Sequence, residues 1–114
     1  LLSYSSSVLE LLRYQAEDGR VPFTEWLRSI QDKQVQAKVR VRLRRLEAGL
    51  LGDCAAVGGG VLELREHHGA GYRVYFGRHG NTVVILPFGG TKRSQEGDIR
   101  LAKEYWAEWK RRQK

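Results

Sequence analysis

The chain is short of the features that would fix its class at once. It has one cysteine, Cys54, in 114 residues, so no internal disulfide can staple it. A reducing cytoplasm is the expectation. Cys54 itself reads as a small buried hydrophobe. Cys54, His67 and His68 show no zinc-ligand spacing, and neither a metal nor a cofactor is expected. No apolar run approaches the ~18 residues that span a bilayer, so no membrane partner is expected. The opening Leu-Leu-Ser-Tyr-Ser-Ser-Ser lacks a basic n-region and a long apolar core, which argues against a signal peptide. It does not begin with Met, and Leu1–Ser7 is expected to be a disordered extension outside the fold. Internal repeats and a dividing linker are also missing. One domain over residues 1–114, with one modest core, is the expectation.

Acid is the other shortage. Thirteen Asp and Glu face twenty Lys and Arg, a formal charge of +7. A basic domain attracts polyanions in a salt-sensitive way, and nucleic acid is the commonest of them. Membrane surfaces and acidic proteins share that attraction. The excess is concentrated: from Lys33 to Arg45 there are six basic residues and no acid.

What is present reads as a small α+β domain. Val8 to Tyr14 is a candidate strand, closed by the turn signal Glu17-Asp18-Gly19. Pro22 suits the first turn of a helix, and Phe23, Trp26, Leu27 and Ile30 follow helical spacing. Asp32 is the expected N-cap of a second helix. Its apolar seam is Val35, Val39, Leu43 and Leu46, and Gly49 marks its stop. The two helices form an antiparallel hairpin. The period then changes to two, and Val61–Glu66, Tyr72–Arg78 and Thr82–Phe88 read as three strands. Ser94 is the expected cap of a final helix with the stripe Ile99, Ala102, Trp106 and Trp109. The expected architecture is a small antiparallel sheet, made from the N-terminal strand and the C-terminal meander. The helical hairpin and the C-terminal helix pack on one of its faces, and the other is left to solvent or a ligand.

Strand parity places the charges. Leu62 and Leu64 point one way; Glu63, Arg65 and His67 point the other. Tyr72, Val74 and Phe76 point one way; Arg73, Tyr75 and Gly77 the other. Burying both apolar sets together makes Arg65 and Arg73 cross-strand neighbours on the non-core face. Like charges directly opposite are destabilising, and a bound anion relieves them. The alternative is that each arginine pairs with Glu63, Glu66 or a carboxylate of the last helix. Lys92 follows Gly89-Gly90, without the spacing of a P-loop. On the second helix Lys38, Arg42 and Arg45 fall on one flank of the seam, and Lys33, Arg40 and Arg44 on the other. Most of these read equally well as a solvated helix surface.

Taken in order, Gly-Val-Leu-Glu-Leu-Arg65, Gly-Ala-Gly-Tyr-Arg73-Val-Tyr-Phe and Gly-Gly-Thr-Lys92-Arg-Ser-Gln95-Glu-Gly-Asp98-Ile99 resemble the signature of the RelE/ParE superfamily of toxins. The likeness is to its HigB-like addiction module killer branch and runs from about Pro22 to about Trp109. It implies a RelE-like fold and the toxin of a bacterial type II toxin–antitoxin pair. It further implies a cytoplasmic, ribosome-dependent endoribonuclease that cleaves mRNA. The implied partners are the ribosome, mRNA and a cognate antitoxin, a small helix-turn-helix DNA-binding protein through which alone the pair meets operator DNA. By the same resemblance Arg73 matches the family's catalytic arginine, and Arg65 a basic residue near the scissile phosphate. Lys92 and Arg93 fall where the family places a basic residue. The tyrosine that several relatives carry near the end of this region is replaced by Gly97-Asp98-Ile99.

The chemistry asks little of the protein. RNA cleaves itself when its 2′-hydroxyl attacks the adjacent phosphorus in line, and cations stabilise the phosphorane. Arginine stays charged and offers phosphate a planar fork. The catalytic set expected is therefore Arg73, Arg65 and Lys92, with Glu63 or His67 as candidate base and Tyr75 a weaker one. Arg45, Arg42, Lys38, Arg93 and Tyr75 are the candidate RNA contacts. Two other readings stand beside this one. A ParE-like inhibitor of DNA gyrase would not call for the phosphate-binding set. A non-catalytic nucleic-acid binder would call for more exposed aromatics than Tyr75.

Overall fold

The computed structural model describes residues 9–66, 72–86 and 94–113. Its elements are β1 (Glu10–Arg13), α1 (Pro22–Ser29), α2 (Lys33–Glu47), β2 (Cys54–Gly58), β3 (Val61–Glu66), β4 (Tyr72–His79), β5 (Thr82–Ile85) and α3 (Gln95–Arg112). The class is α+β, with five strands in one sheet ordered β1-β5-β4-β3-β2. No helix among the described residues is long and apolar enough to cross a membrane.

The helical hairpin forms where its caps and seam place it. Pro22 stands in the first turn of α1, where its missing N–H costs no intrahelical bond. The Asp32 carboxylate accepts from the amides of Gln34 at 2.9 Å and Val35 at 3.4 Å, satisfying donors that a helix start leaves orphaned. Gln36 ties the two helices together, donating to the carbonyls of Leu27 and Ile30. Phe23, Leu27 and the seam Val35, Val39, Leu43 and Leu46 pack on Leu64, Val74, Phe76, Val83 and Ile85 of the sheet.

Three features depart from the sequence expectation. First, the sheet is mixed. β1 runs parallel to β5, with Leu11 opposite Val83 and Arg13 opposite Ile85. A parallel pair needs a long crossover, and the two helices and three strands between them supply it.

Second, a further strand, β2, precedes the meander. Cys-Ala-Ala-Val-Gly carries a single β-branched residue and lies at a sheet edge, so propensity says little there. The turn that follows defines it. Gly58, Gly59 and Gly60 take φ of 97°, 63° and 83°, a region costly for residues with a Cβ, and fold β2 back on β3. The other strand ends shift slightly: β4 continues to His79, and β5 is assigned only to Ile85. The Leu86 amide still donates to the Tyr75 carbonyl at 2.8 Å; Val8, Pro87 and Phe88 lie outside the described residues.

Third, the helices occupy both faces of the sheet. α3 lies opposite the hairpin and covers a second cluster of Tyr14, Val61, Tyr75, Val84 and Leu86 with Ala102 and Trp106. Alternation along β3, β4 and β5 creates this second apolar set, and leaving it in water would forfeit its burial. Gly77 fixes the approach. A Cβ there would lie 2.4 Å from the Trp106 ring, so the indole rests directly on the strand. Ser94 stands at the N-cap position, but its hydroxyl donates to Asp98 at 2.6 Å and makes no capping bond to the backbone. At the other end Tyr14 stacks on Tyr105 and donates to Glu108 at 2.8 Å. Burial first, and then Glu108, push the Tyr14 hydroxyl up to about 12, which keeps it a donor.

Candidate functional site

β3 and β4 carry the two arginines on one face, in direct register: Arg65 opposite Arg73, and Glu63 opposite Tyr75. The relief of like charge comes from inside the chain. Glu63 is fully buried. One of its carboxylate oxygens accepts from Arg65 Nε at 2.9 Å. The other accepts from the Tyr75 hydroxyl at 3.1 Å and from Gln95 Nε2 at 2.7 Å. Arg73 Nε lies 3.6 Å from that second oxygen, too far for a hydrogen bond. It is buried, and no other acceptor among the described residues takes its proton. Convergence of the arginines and their pairing with Glu63 are thus realised together.

The electrostatics follow. Burial pushes the Glu63 carboxyl up, but the bonds from Arg65, Gln95 and Tyr75 and the charge of Arg73 outweigh it and hold the group below the usual carboxylate range. Glu63 is therefore ionised at neutral pH. Burial, and then Glu63, push the Tyr75 hydroxyl well above its ordinary value, so it remains a donor. Arg65 keeps 38% of its side chain exposed and Arg73 16%. Arg65 also faces Asp53 at 3.9 Å. Arg42 reaches in from α2 to donate to the carbonyls of Arg65 and Asp53. Among the described residues, the guanidiniums of Arg42, Arg65 and Arg73 thus gather around the carboxylates of Glu63 and Asp53. The exposed edge of the cluster is that of Arg65.

No family model matches the chain. A Haemophilus influenzae protein, described as an uncharacterized protein, is 41% identical to it over 81 residues, which cover 71% of this chain and 82% of that protein. The chain belongs to the same family as that protein.

The other expected site residues divide into three groups. Tyr75 and Glu63 are in the cluster, but neither is exposed: α3 and the sheet enclose both. Tyr75 presents no exposed ring, and the Glu63 carboxylate is engaged by Arg65, Tyr75 and Gln95. Lys38, Arg42 and Arg45 share one flank of α2. All three line a depression of about 290 Å³ with Val41, and Arg42 and Arg45 also line one of about 730 Å³ with Leu50. Arg42 alone is tied to the Arg65 strand. His67, Lys92 and Arg93 lie outside the described residues. A separate cleft of about 560 Å³, between Trp26, Pro22 and Tyr105, contains none of the expected residues.

Gln95 was not expected in the cluster. It stands in the first turn of α3 and reaches Glu63 only because α3 covers the arginine face. The apolar set on that face, Val61, Val84 and Leu86 around Tyr75, was the available signal.

Proposed function

We propose that the chain is the toxin of a bacterial type II toxin–antitoxin pair, a RelE-like, ribosome-dependent endoribonuclease neutralised by a cognate helix-turn-helix antitoxin. It would act in the cytoplasm. One observation carries the reading: Arg65 and Arg73 stand opposite each other on adjacent strands beside one buried carboxylate, which bonds Arg65 and lies 3.6 Å from Arg73. A scissile phosphate meets the outer edge of this pair. The 2′-oxygen bonds to phosphorus, the bond from phosphorus to the 5′-oxygen breaks, and a 2′,3′-cyclic phosphate and a 5′-hydroxyl result. Arg65 and Arg73 stabilise the charge that gathers on the phosphorane oxygens. Glu63, Tyr75 and Gln95 position them. Proton transfer from the 2′-hydroxyl and to the leaving oxygen falls to His67 and Lys92.

A second reading is a non-catalytic nucleic-acid binder, and the hold of Glu63 on both arginines favours it. Induced expression of the wild type and of Arg73→Ala, with primer extension on cellular mRNA, separates the readings. Codon-spaced cuts that need ribosomes and vanish in Arg73→Ala support the nuclease, with a loss of about 10²–10³ in rate by analogy with removing one oxyanion donor. Undiminished cleavage and growth arrest in Arg73→Ala would overturn the catalytic assignment. DNA breaks with filamentation would indicate a ParE-like gyrase inhibitor. Neither outcome, with RNA still bound, would leave the binder.

A further inference from the structure

A second arginine cluster lies on the opposite flank of α2, beside β1. Arg13 of β1 and Arg40 and Arg44 of α2 meet at the edge of the helical hairpin, and Arg28 of α1 is near enough to act on Arg13 electrostatically. Arg13, Arg40 and Arg44 line a cleft of about 300 Å³ with Glu47, over an apolar floor that includes Leu11 and Leu43. Neutral groups hold Arg13 in place: its guanidinium donates to Thr24 Oγ1 at 2.9 Å and sits 5.2 Å over the Phe23 ring. Among the described residues Arg13, Arg28, Arg40 and Arg44 have no ion pair, and Glu47 is not within pairing distance of any of them. Burial lowers the proton affinity of Arg13, and Arg40 and then Arg28 lower it further. Arg13 thus stands in a field of like charge that no ion pair among the described residues relieves. Arg40 and Arg44, four residues apart on a helix, add to it.

We propose that this cleft is a docking surface for the phosphate backbone of single-stranded nucleic acid, distinct from the Arg65–Arg73 cluster and independent of whether that cluster cleaves anything. The residue chemistry favours phosphate. The three cations that line the cleft are all arginines, whose fork takes two phosphate oxygens at once. A protein partner would need an accessible apolar anchor, and the floor of this cleft is committed to the core: Leu43 and Ile85 are buried, and Leu11 packs against that cluster. The exposed large hydrophobic residues among those described are Leu12, Val41 and Leu50. Leu12 projects from the other face of β1, and Val41 and Leu50 belong to the other flank of α2. Shape favours a single strand. The arginines converge on a concavity from two elements, β1 and α2, which a flexible strand can enter and a stiff duplex cannot bend into without cost.

The test is fluorescence anisotropy of a labelled, mixed-sequence single-stranded RNA, titrated with the wild type and with Arg40→Ala/Arg44→Ala over a range of salt. Both positions are exposed on a helix, and alanine is the best helix former, so the variant is expected to fold. A thermal melt checks this. The variant should bind more weakly, and the slope of log affinity against log salt should fall by about 1.4, two contacts at about 0.7 each. An unchanged affinity and slope would overturn the proposal. So would preferred binding of duplex DNA, or a poly-glutamate peptide that binds more tightly than RNA and is lost in the same variant. The readout is binding alone, so failure of the nuclease reading leaves this result intact.

Discussion

The two arginine clusters handle the same charge in opposite ways. Around Arg65 and Arg73 the chain supplies its own anion: Glu63 lies between them, and Tyr75 and Gln95 complete its bonds. Around Arg13, Arg40 and Arg44 the nearby Glu47 makes no ion pair, and no other acid among the described residues pairs with them. The difference is burial. Arg73 and Glu63 sit under α3, where an unpaired charge would be costly. The second cluster stands mostly in water, where repulsion is screened and tolerable. One cluster is therefore built into the fold, and the other is left for something outside it.

The comparison breaks if the two clusters respond alike to mutation. The largest effect is expected from Glu63→Ala, which leaves two facing guanidiniums without their shared partner. Urea unfolding should show a loss of about 3 kcal/mol, the low end for breaking a buried pair because Arg65 still reaches water. Arg40→Ala/Arg44→Ala should lose nothing measurable in the same experiment. Equal losses would mean that the second cluster is structural too.

A smaller effect is expected from acid. The folded chain holds the Glu63 carboxyl below its unfolded value, so the stability it contributes is complete above the ordinary glutamate range, near pH ~4.3. It is lost as pH falls through the lower folded value. Stability measured from pH 6 downward should therefore fall less steeply in Glu63→Gln than in the wild type. The second cluster should leave that acid limb unchanged. Identical acid limbs in the two proteins would remove Glu63 from its central position.

The smallest effect sharpens the comparison from the other side. Arg40→Glu places a carboxylate four residues before Arg44, the favourable order on a helix, and near Arg13. It should raise stability by about 0.2–0.5 kcal/mol and weaken RNA binding at the same time. A gain in stability with no loss of binding would show that the repulsion is real but unused.

Much of the local structure was legible in the sequence. The spacing of Val35, Val39, Leu43 and Leu46 marks the α2 seam, and Asp32 its start. Two-residue alternation sets Arg65 and Arg73 on one face, because a one-residue slip would expose Leu62, Leu64, Val74 and Phe76. β2 was not legible, since Cys-Ala-Ala-Val-Gly offers little side-chain pattern and its pairing depends on a turn of three glycines. The burial of Glu63 and Tyr75 was not legible either. Both were expected on an open face, and α3 closes it.

By itself, then, the sequence determined the helical hairpin, the β3–β4 register and the shared side of the two arginines, because these follow from periodicities of a few residues. Only the tertiary structure decided that β1 joins β5 in parallel, that Trp106 rests on Gly77, and that Gln95 meets Glu63. It also brought Arg13 to Arg40 and Arg44. Each of these joins residues distant in the chain, and no local pattern specifies which face a distant helix or strand will cover.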